Sequence, residues 1–224
     1  MRIAKLRLRD HRRERPIRVL IADDHRILLD ALESVLVERG CHVVGVAENG
    51  RRAVLLARER HPDVAVLDAS MPVMSGLDAA KDILHTMPAL GVLLVTGYGE
   101  DRVVYEALRL GVRGVVMKAQ GIQDLLQAIR DVSRGAIYIS PCYSRTVLDA
   151  LARGKRPDAG SLTARETQML RLIADGRTMK QAAVHLAISV RTAECHRASV
   201  MDKLHIHDTA GLVRYAIRQG LVVA

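Results

Sequence analysis

The sequence predicts an α/β domain built on a parallel sheet, followed by a small all-helical module, and three observations carry that expectation. Up to residue 135, short apolar runs alternate with longer amphipathic stretches, the rhythm of repeated βαβ units. Four of the runs end in residues suited to phosphoryl chemistry: 17–22 into Asp23 and Asp24, 64–67 into Asp68, 92–95 into Thr96, and 115–117 into Lys118. Beyond residue 160 the pattern becomes four short helical periods, each preceded by a Thr, Ser or Asp in capping position.

The elements follow in order. Residues 17–22, 42–48, 64–67, 92–95 and 115–117 read as five strands, and 25–39, 50–61, 76–86, 100–110 and 121–134 as the helices between and after them. Gly40, Pro62, Pro88, Gly91, Gly97 and Gly135 punctuate the series as turn residues. In the second module Thr163 and Glu166 have capping-box spacing, and the helix they open stops at Gly176. Thr178 and Gln181 repeat the box and open a short helix through about Leu186. Ser189 caps a third helix reaching about Leu204, and Asp208 caps a fourth ending near Gly220. Two short helices joined by a tight turn form a helix-turn-helix.

Composition narrows the function classes. Apolar residues make up 49% of the 224, enough for packed cores, although Phe and Trp are absent. No run approaches the 18 or so apolar residues of a membrane span. The basic stretch 1–16 is followed by too short an apolar run for a secretory signal, so export and membrane insertion are not expected. Cys41, Cys142 and Cys195 are odd in number and far apart, which argues against a disulfide framework or a zinc site and suits a reducing cytoplasm. Of the net charge of +9, residues 1–16 hold +5 and 161–224 hold +4, while 17–160 balance to zero. A basic terminal module suits a nucleic-acid binder, and the first 16 residues read as a solvated, disordered arm.

An Asp after a strand is commonly only a helix cap, and a Lys there commonly only solvated. Four such residues on one sheet edge are another matter, because ligands of open α/β sheets bind outside the carboxyl ends of the strands. Three carboxylates there repel one another unless a cation neutralises them. A hard ion with few protein ligands, several waters and a phosphate is the preference of Mg²⁺. Asp68 is then the nucleophile, Lys118 the partner of the phosphoryl oxygens, and Thr96 a hydroxyl donor to one of them.

Residues 17–135 resemble a response-regulator receiver domain. The acidic pair Asp23-Asp24, the segment Asp68-Ala69-Ser70-Met71-Pro72-Val73-Met74-Ser75-Gly76, Thr96 and Lys118 carry the likeness. It implies a flavodoxin-like (β/α)5 fold with strand order 2-1-3-4-5. It also implies Mg²⁺ held by Asp24, Asp68, the Ser70 backbone carbonyl and, through water, Asp23, with phosphoryl transfer onto Asp68 from a sensor histidine kinase. Ser70 and Tyr98 fall at the positions that modulate phosphoryl lifetime. Receivers usually carry Tyr or Phe three residues before the lysine, as a switch coupled to the threonine; here Val115 stands there, so rearrangement around Thr96 and Tyr98 is expected to carry more of the signal.

Residues 161–222 resemble the LuxR-type helix-turn-helix through Leu162-Thr163-Ala164-Arg165-Glu166, Gly176, Ile188-Ser189, Thr192-Ala193-Glu194-Cys195-His196-Arg197 and Lys203-Leu204. Gln181-Ala182 and Ala193 depart from that family's usual Glu-Ile and Val. At 100° per residue, Ala193, His196, Val200 and Leu204 of the third helix face inward, and Arg191, Glu194, Cys195, Ala198 and Asp202 face outward. Expected DNA-contacting residues are Arg191, Thr192, Glu194, Cys195 and Ala198, with Lys180, Arg197 and Lys203 on phosphates. His196 reads as a packed side chain rather than a metal ligand.

The domains expected are therefore a basic arm (1–16), a receiver (17–135), a linker (136–160) containing a short helix over 146–152, and a helix-turn-helix domain (161–224). The combination resembles the NarL/FixJ architecture. It implies a bacterial transcriptional regulator, cytoplasmic, that takes a phosphoryl group on Asp68 and then binds double-stranded promoter DNA as a homodimer, RNA polymerase being a further partner. It is a phosphoryl acceptor with slow self-dephosphorylation rather than a turnover enzyme. A haloacid-dehalogenase-type hydrolase also places a nucleophilic Asp after a strand, but needs a second Asp where Ser70 stands. A DNA-binding protein whose receiver works without phosphorylation, and a protein-binding use of the helical module, are the remaining alternatives.

Overall fold

The structure, a computed structural model, describes residues 15–97, 101–143, 152 and 162–222. Most of the basic arm, Tyr98 and the expected linker helix over 146–152, apart from its last residue, lie outside the described residues.

The first domain runs β1 (Arg18–Ala22), α1 (Arg26–Glu38), β2 (His42–Ala47), α2 (Gly50–Arg60), β3 (Val64–Asp68), α3 (Gly76–Thr86), β4 (Gly91–Thr96), α4 (Asp101–Arg109), β5 (Gly114–Met117) and α5 (Ile122–Ser133). The sheet is parallel, in the order β2-β1-β3-β4-β5, with a sixth strand beyond β5. This is the flavodoxin-like arrangement expected.

Helices on both faces explain why the central strands are apolar without alternation: all of β3 is buried. Successive side chains point to opposite faces, so each strand serves two cores. Leu20, Leu67 and Leu94 pack with Ala53 of α2 and Ile83 of α3 on one side. Ile21, Val66 and Leu93 pack with Leu29 of α1 and Ile129 of α5 on the other.

Parallel strands with right-handed crossovers bring every carboxyl end to one edge. Asp23 and Asp24 follow β1, Asp68 closes β3, Thr96 closes β4 and Lys118 follows β5. Gly76 holds the start of α3 against that edge, since a Cβ there would lie 1.9 Å from the Asp68 carbonyl oxygen. Only glycine permits that approach.

The sixth strand, β6 (Tyr138–Ile139), pairs in parallel with Gly114 and Val115. It falls in the segment expected as linker. Two residues at a sheet edge are too short to produce a strand pattern, and the pairing comes from the exposed rim of β5. After β6 a helical turn begins at Pro141 and continues through Tyr143, the last described residue of this stretch, whose backbone N–H donates to the Ser140 carbonyl at 2.9 Å.

The second domain contains α6 (Ala164–Ala174), α7 (Met179–Leu186), α8 (Val190–Leu204) and α9 (Thr209–Arg218). Both capping boxes form, Thr163 with Glu166 and Thr178 with Gln181. Ser189 and Asp208 cap α8 and α9 through their side chains. Its core joins Met169, Leu170, Leu186, Ala193, Val200 and Leu212. Among the described residues, no helix is long and apolar enough to cross a membrane.

Candidate functional site

The edge above β1, β3 and β5 gathers charge. Lys118 Nζ donates to Asp68 Oδ2 at 2.7 Å and to Asp23 Oδ2 at 3.3 Å. Asp68 is only 3% exposed and Asp23 is also buried, whereas Asp24 is open to solvent. Burial pushes the Asp68 carboxyl above its ordinary range, and the neighbouring Asp23 adds to that, although Lys118 and the Ser70 N–H oppose it. For Lys118 burial works against the charge, but Asp68 and Asp23 outweigh it and raise the ammonium's pKa. A cavity of about 360 Å³ opens beside these groups, walled by Leu28, Leu32, Val66 and Val95.

His25 joins this edge although nothing in the sequence pattern singled it out. Its Nδ1 lies 3.0 Å from Asp23 Oδ1 and 3.0 Å from Asp24 Oδ1, and its backbone N–H donates to Asp23 at 2.9 Å. The hydrogen bond to Asp23, with the charge of Asp24 behind it, raises the imidazole's pKa. Ligand atoms of Asp23, Asp24 and His25 all lie within 4.8 Å of one another. Ser70 is exposed at the rim.

Thr96 is fully buried and its hydroxyl donates to the Tyr143 hydroxyl at 3.1 Å. Tyr143 in turn donates to the Gly97 carbonyl. Val115 fills the core of β5, and the aromatic ring that reaches the threonine comes instead from the turn after β6. Sequence reading missed Tyr143 because its contact with Thr96 depends on β6. The same turn is anchored to β5, where the Met117 N–H donates to Ser140 Oγ at 3.1 Å and the Ser140 N–H to the Val115 carbonyl at 2.9 Å.

The expected DNA-contacting residues divide. Lys180 and Glu194 are exposed, Ala198 is half-buried, and Arg197 donates to Thr209 Oγ1 at 3.2 Å. Thr192 is buried beside the Ser189 cap. Arg191 reaches across to Asp124 of α5 at 3.1 Å.

Two of the expected DNA-contacting residues, Cys195 of the outward face and the phosphate candidate Lys203, are covered. Cys195 is 4% exposed and packs within the receiver's core beside Cys142. The Lys203 ammonium is buried between Glu166 Oε2 of α6, at 2.9 Å, and Asp101 Oδ2 of α4. The helical wheel placed Cys195 outward by angle within one helix, and the receiver domain then covers it; Lys203 is covered by Asp101 of the receiver together with Glu166 of its own domain.

Glu166 is the hub of this contact. It accepts from Ser199 at 2.5 Å, from Lys203 and from the Thr163 N–H at 2.8 Å. Burial opposes its charge, but Lys203 and these donors outweigh it and lower its pKa. His196, as expected, is a packed side chain, and burial keeps its imidazole below the usual range.

Comparison with known proteins agrees with this division. Residues 19–130 match the response regulator receiver domain family, and residues 160–216 match the bacterial regulatory proteins of the luxR family. The chain is 36% identical over 214 residues to the transcriptional regulatory protein MctR of Rhizobium johnstonii, covering 93% of this chain and 97% of that protein. It is 32% identical to the oxygen regulatory protein NreC of Staphylococcus carnosus, covering 92% and 99%. Among solved structures it is similar to RcsB from Salmonella enterica serovar Typhimurium bound to a promoter in the presence of a phosphomimetic, with 27% identity, a TM-score of 0.54 and coverage of 89% and 97%. This chain belongs to the LuxR-family response regulators of two-component systems, transcription regulators in which a receiver domain is joined to a helix-turn-helix DNA-binding domain.

Proposed function

We propose that Asp68 accepts a phosphoryl group from a histidine kinase and that this event frees α8 to bind promoter DNA. The observation that carries the reading is the Asp68–Lys118 contact of 2.7 Å beside Asp23 at the open sheet edge. An Asp68 oxygen attacks phosphorus, the bond to the donor's histidine nitrogen breaks, and Lys118 follows the negative charge onto the phosphoryl oxygens. The residues fit a divalent cation: hard oxygen donors cluster there, and two buried carboxylates, Asp23 and Asp68, share the Lys118 ammonium while Asp24 stands beside them. Asp23, Asp24, Asp68 and the Ser70 carbonyl would hold Mg²⁺, which supplies that charge when bound. Nothing in this chemistry requires turnover of a separate substrate, so the protein acts as a receiver of phosphate rather than an enzyme.

Transmission follows from Thr96. A threonine hydroxyl drawn to a phosphoryl oxygen no longer donates to Tyr143, and the turn that carries Tyr143 also carries Cys142 against Cys195 of α8. Loosening that turn weakens the docking that covers α8. The RcsB complex, solved with promoter DNA and a phosphomimetic, supports the link between phosphorylation and DNA binding. A symmetric dimer would place two copies of α8 on an inverted repeat with centres about 34 Å apart. The same reading makes the protein cytoplasmic, with RNA polymerase a further partner at the promoter.

The test is phosphorylation with a small phosphodonor and Mg²⁺. Wild type should gain one acid-stable, base-labile phosphoryl group, and Asp68→Asn or chelation should abolish it. Undiminished labelling of Asp68→Asn would remove Asp68 as the acceptor.

A further inference from the structure

Cys195 is the one described residue of the helical domain that enters the receiver's core cluster, and Cys142 belongs to the same cluster. They are 4% and 7% exposed. The two thiols lie close enough to shift each other's titration in opposite directions. Cys142 sits on the turn fixed by Ser140 and Tyr143, and Cys195 one turn along α8 from Arg191. Neither sulfur has a part in phosphoryl transfer. Cytoplasmic proteins rarely keep structural disulfides, and the thiol pairs they do oxidise are typically redox-sensing.

We propose that Cys142 and Cys195 are a peroxide-responsive pair whose oxidation to an intramolecular disulfide staples the DNA-reading helix α8 to the receiver domain.

The chemistry balances with a peroxide as oxidant. The Cys195 thiolate attacks one peroxide oxygen, the O–O bond breaks, and Cys195 becomes a sulfenic acid while hydroxide leaves. The Cys142 sulfur then attacks the Cys195 sulfur, its proton goes to the departing hydroxide, and a disulfide and water form. Two thiols and one hydrogen peroxide thus give one disulfide and two waters. The surroundings favour Cys195 as the attacking sulfur, with the Arg191 guanidinium one turn away on the same helix. The neighbouring Cys142 thiol lowers the Cys195 pKa and outweighs burial, with help from the Arg191 guanidinium against Glu194 and Asp124. The neighbouring Cys195 sulfur and burial push the Cys142 thiol up. The thiolate is the reactive form, so Cys195 is oxidised and Cys142 resolves it.

The cross-link itself is independent of any functional reading, whereas its effect on DNA rests on α8 being the DNA-contacting helix. Full-length protein would be treated with hydrogen peroxide, alkylated and mapped as peptides without reduction. The same samples, with phosphodonor and Mg²⁺, would be titrated with DNA selected from a randomised library by the reduced wild type. A peptide linking Cys142 to Cys195 is expected in wild type and in Cys41→Ser, and its absence in Cys142→Ser. With nine-tenths of the chains cross-linked, the competent fraction falls to about one tenth and the apparent Kd rises about tenfold. Reduction should reverse this, and Cys142→Ser should show no such rise relative to its own reduced form. Oxidation of Cys41 without the linked peptide, or links only between chains, would overturn the proposal. So would a linked wild type that binds DNA unchanged, or an equal loss of binding in Cys142→Ser. If the reduced wild type selects no DNA, the reading of α8 fails, while the peptide map still decides whether the pair forms.

Discussion

Replacing Asp101 with asparagine should let the unphosphorylated protein bind DNA. Asp101 lies on the receiver, and its carboxylate meets the Lys203 ammonium of α8 with both side chains at most 9% exposed. Two unit charges 4 Å apart attract by about 4 kcal/mol at an effective dielectric of 20. Much of that is cancelled: burial pushes Asp101 above its ordinary range despite Lys203, and Lys203 keeps Glu166 at 2.9 Å when Asp101 is neutralised. The net loss of docking is therefore about 1–2 kcal/mol, a factor of roughly 5–30 in the open fraction. When the closed form dominates, the apparent Kd falls by the same factor. Fluorescence anisotropy with operator DNA, without phosphodonor, measures it directly. Glu166→Ala, which removes both the α6 capping box and the Lys203 contact, is the control for domain integrity: it should lower the helical domain's melting temperature, whereas Asp101→Asn should not. A folded Asp101→Asn protein with the wild-type Kd would refute the claim that this contact holds α8.

Tyr143→Phe keeps the ring but removes the hydroxyl that accepts from Thr96. It should tighten DNA binding without phosphodonor and shrink the further gain on phosphorylation, with Asp68 still labelled at the wild-type level; an unchanged ratio of the two affinities would exclude Tyr143 from transmission. Glu194→Ala should relax preference at one base pair by about 1–3 kcal/mol, because a carboxylate accepts from a cytosine amine. Lys180→Ala should instead weaken all sequences alike and flatten the slope of log K against log salt by about one unit. A randomised half-site library read at two salt concentrations distinguishes these outcomes.

The parallel sheet was legible because chemistry-bearing residues stood at the ends of apolar runs, and a parallel topology leaves only one edge for them. Thr163, Thr178, Ser189 and Asp208 marked the helices of the second domain because a cap is a local device, complete within four residues. What escaped was non-local. Tyr138 and Ile139 become a strand only through pairing with Gly114 and Val115, and Tyr143 reaches Thr96 only because that strand forms. Val115 announced a missing aromatic ring without saying where a substitute would come from. Helical periodicity placed Cys195 outward, and Lys203 was expected on a phosphate, but both expectations describe one helix alone, and receiver residues far away in sequence help to cover the two side chains. His25 looked like the start of a helix and became part of the acidic edge through backbone geometry after β1.

The central claim is that phosphoryl transfer to Asp68 releases α8. Reversing an equilibrium from 99:1 to 1:99 requires about 5.5 kcal/mol, and a partial release should still be readily measured. The deciding measurement is the operator affinity of the full-length protein with and without a small phosphodonor and Mg²⁺, made side by side on wild type and Asp68→Asn. Wild type should bind at least about tenfold more tightly once phosphorylated, which corresponds to 1.4 kcal/mol, and Asp68→Asn should be indifferent to the donor. Equal affinity of phosphorylated and unphosphorylated wild type would contradict the account.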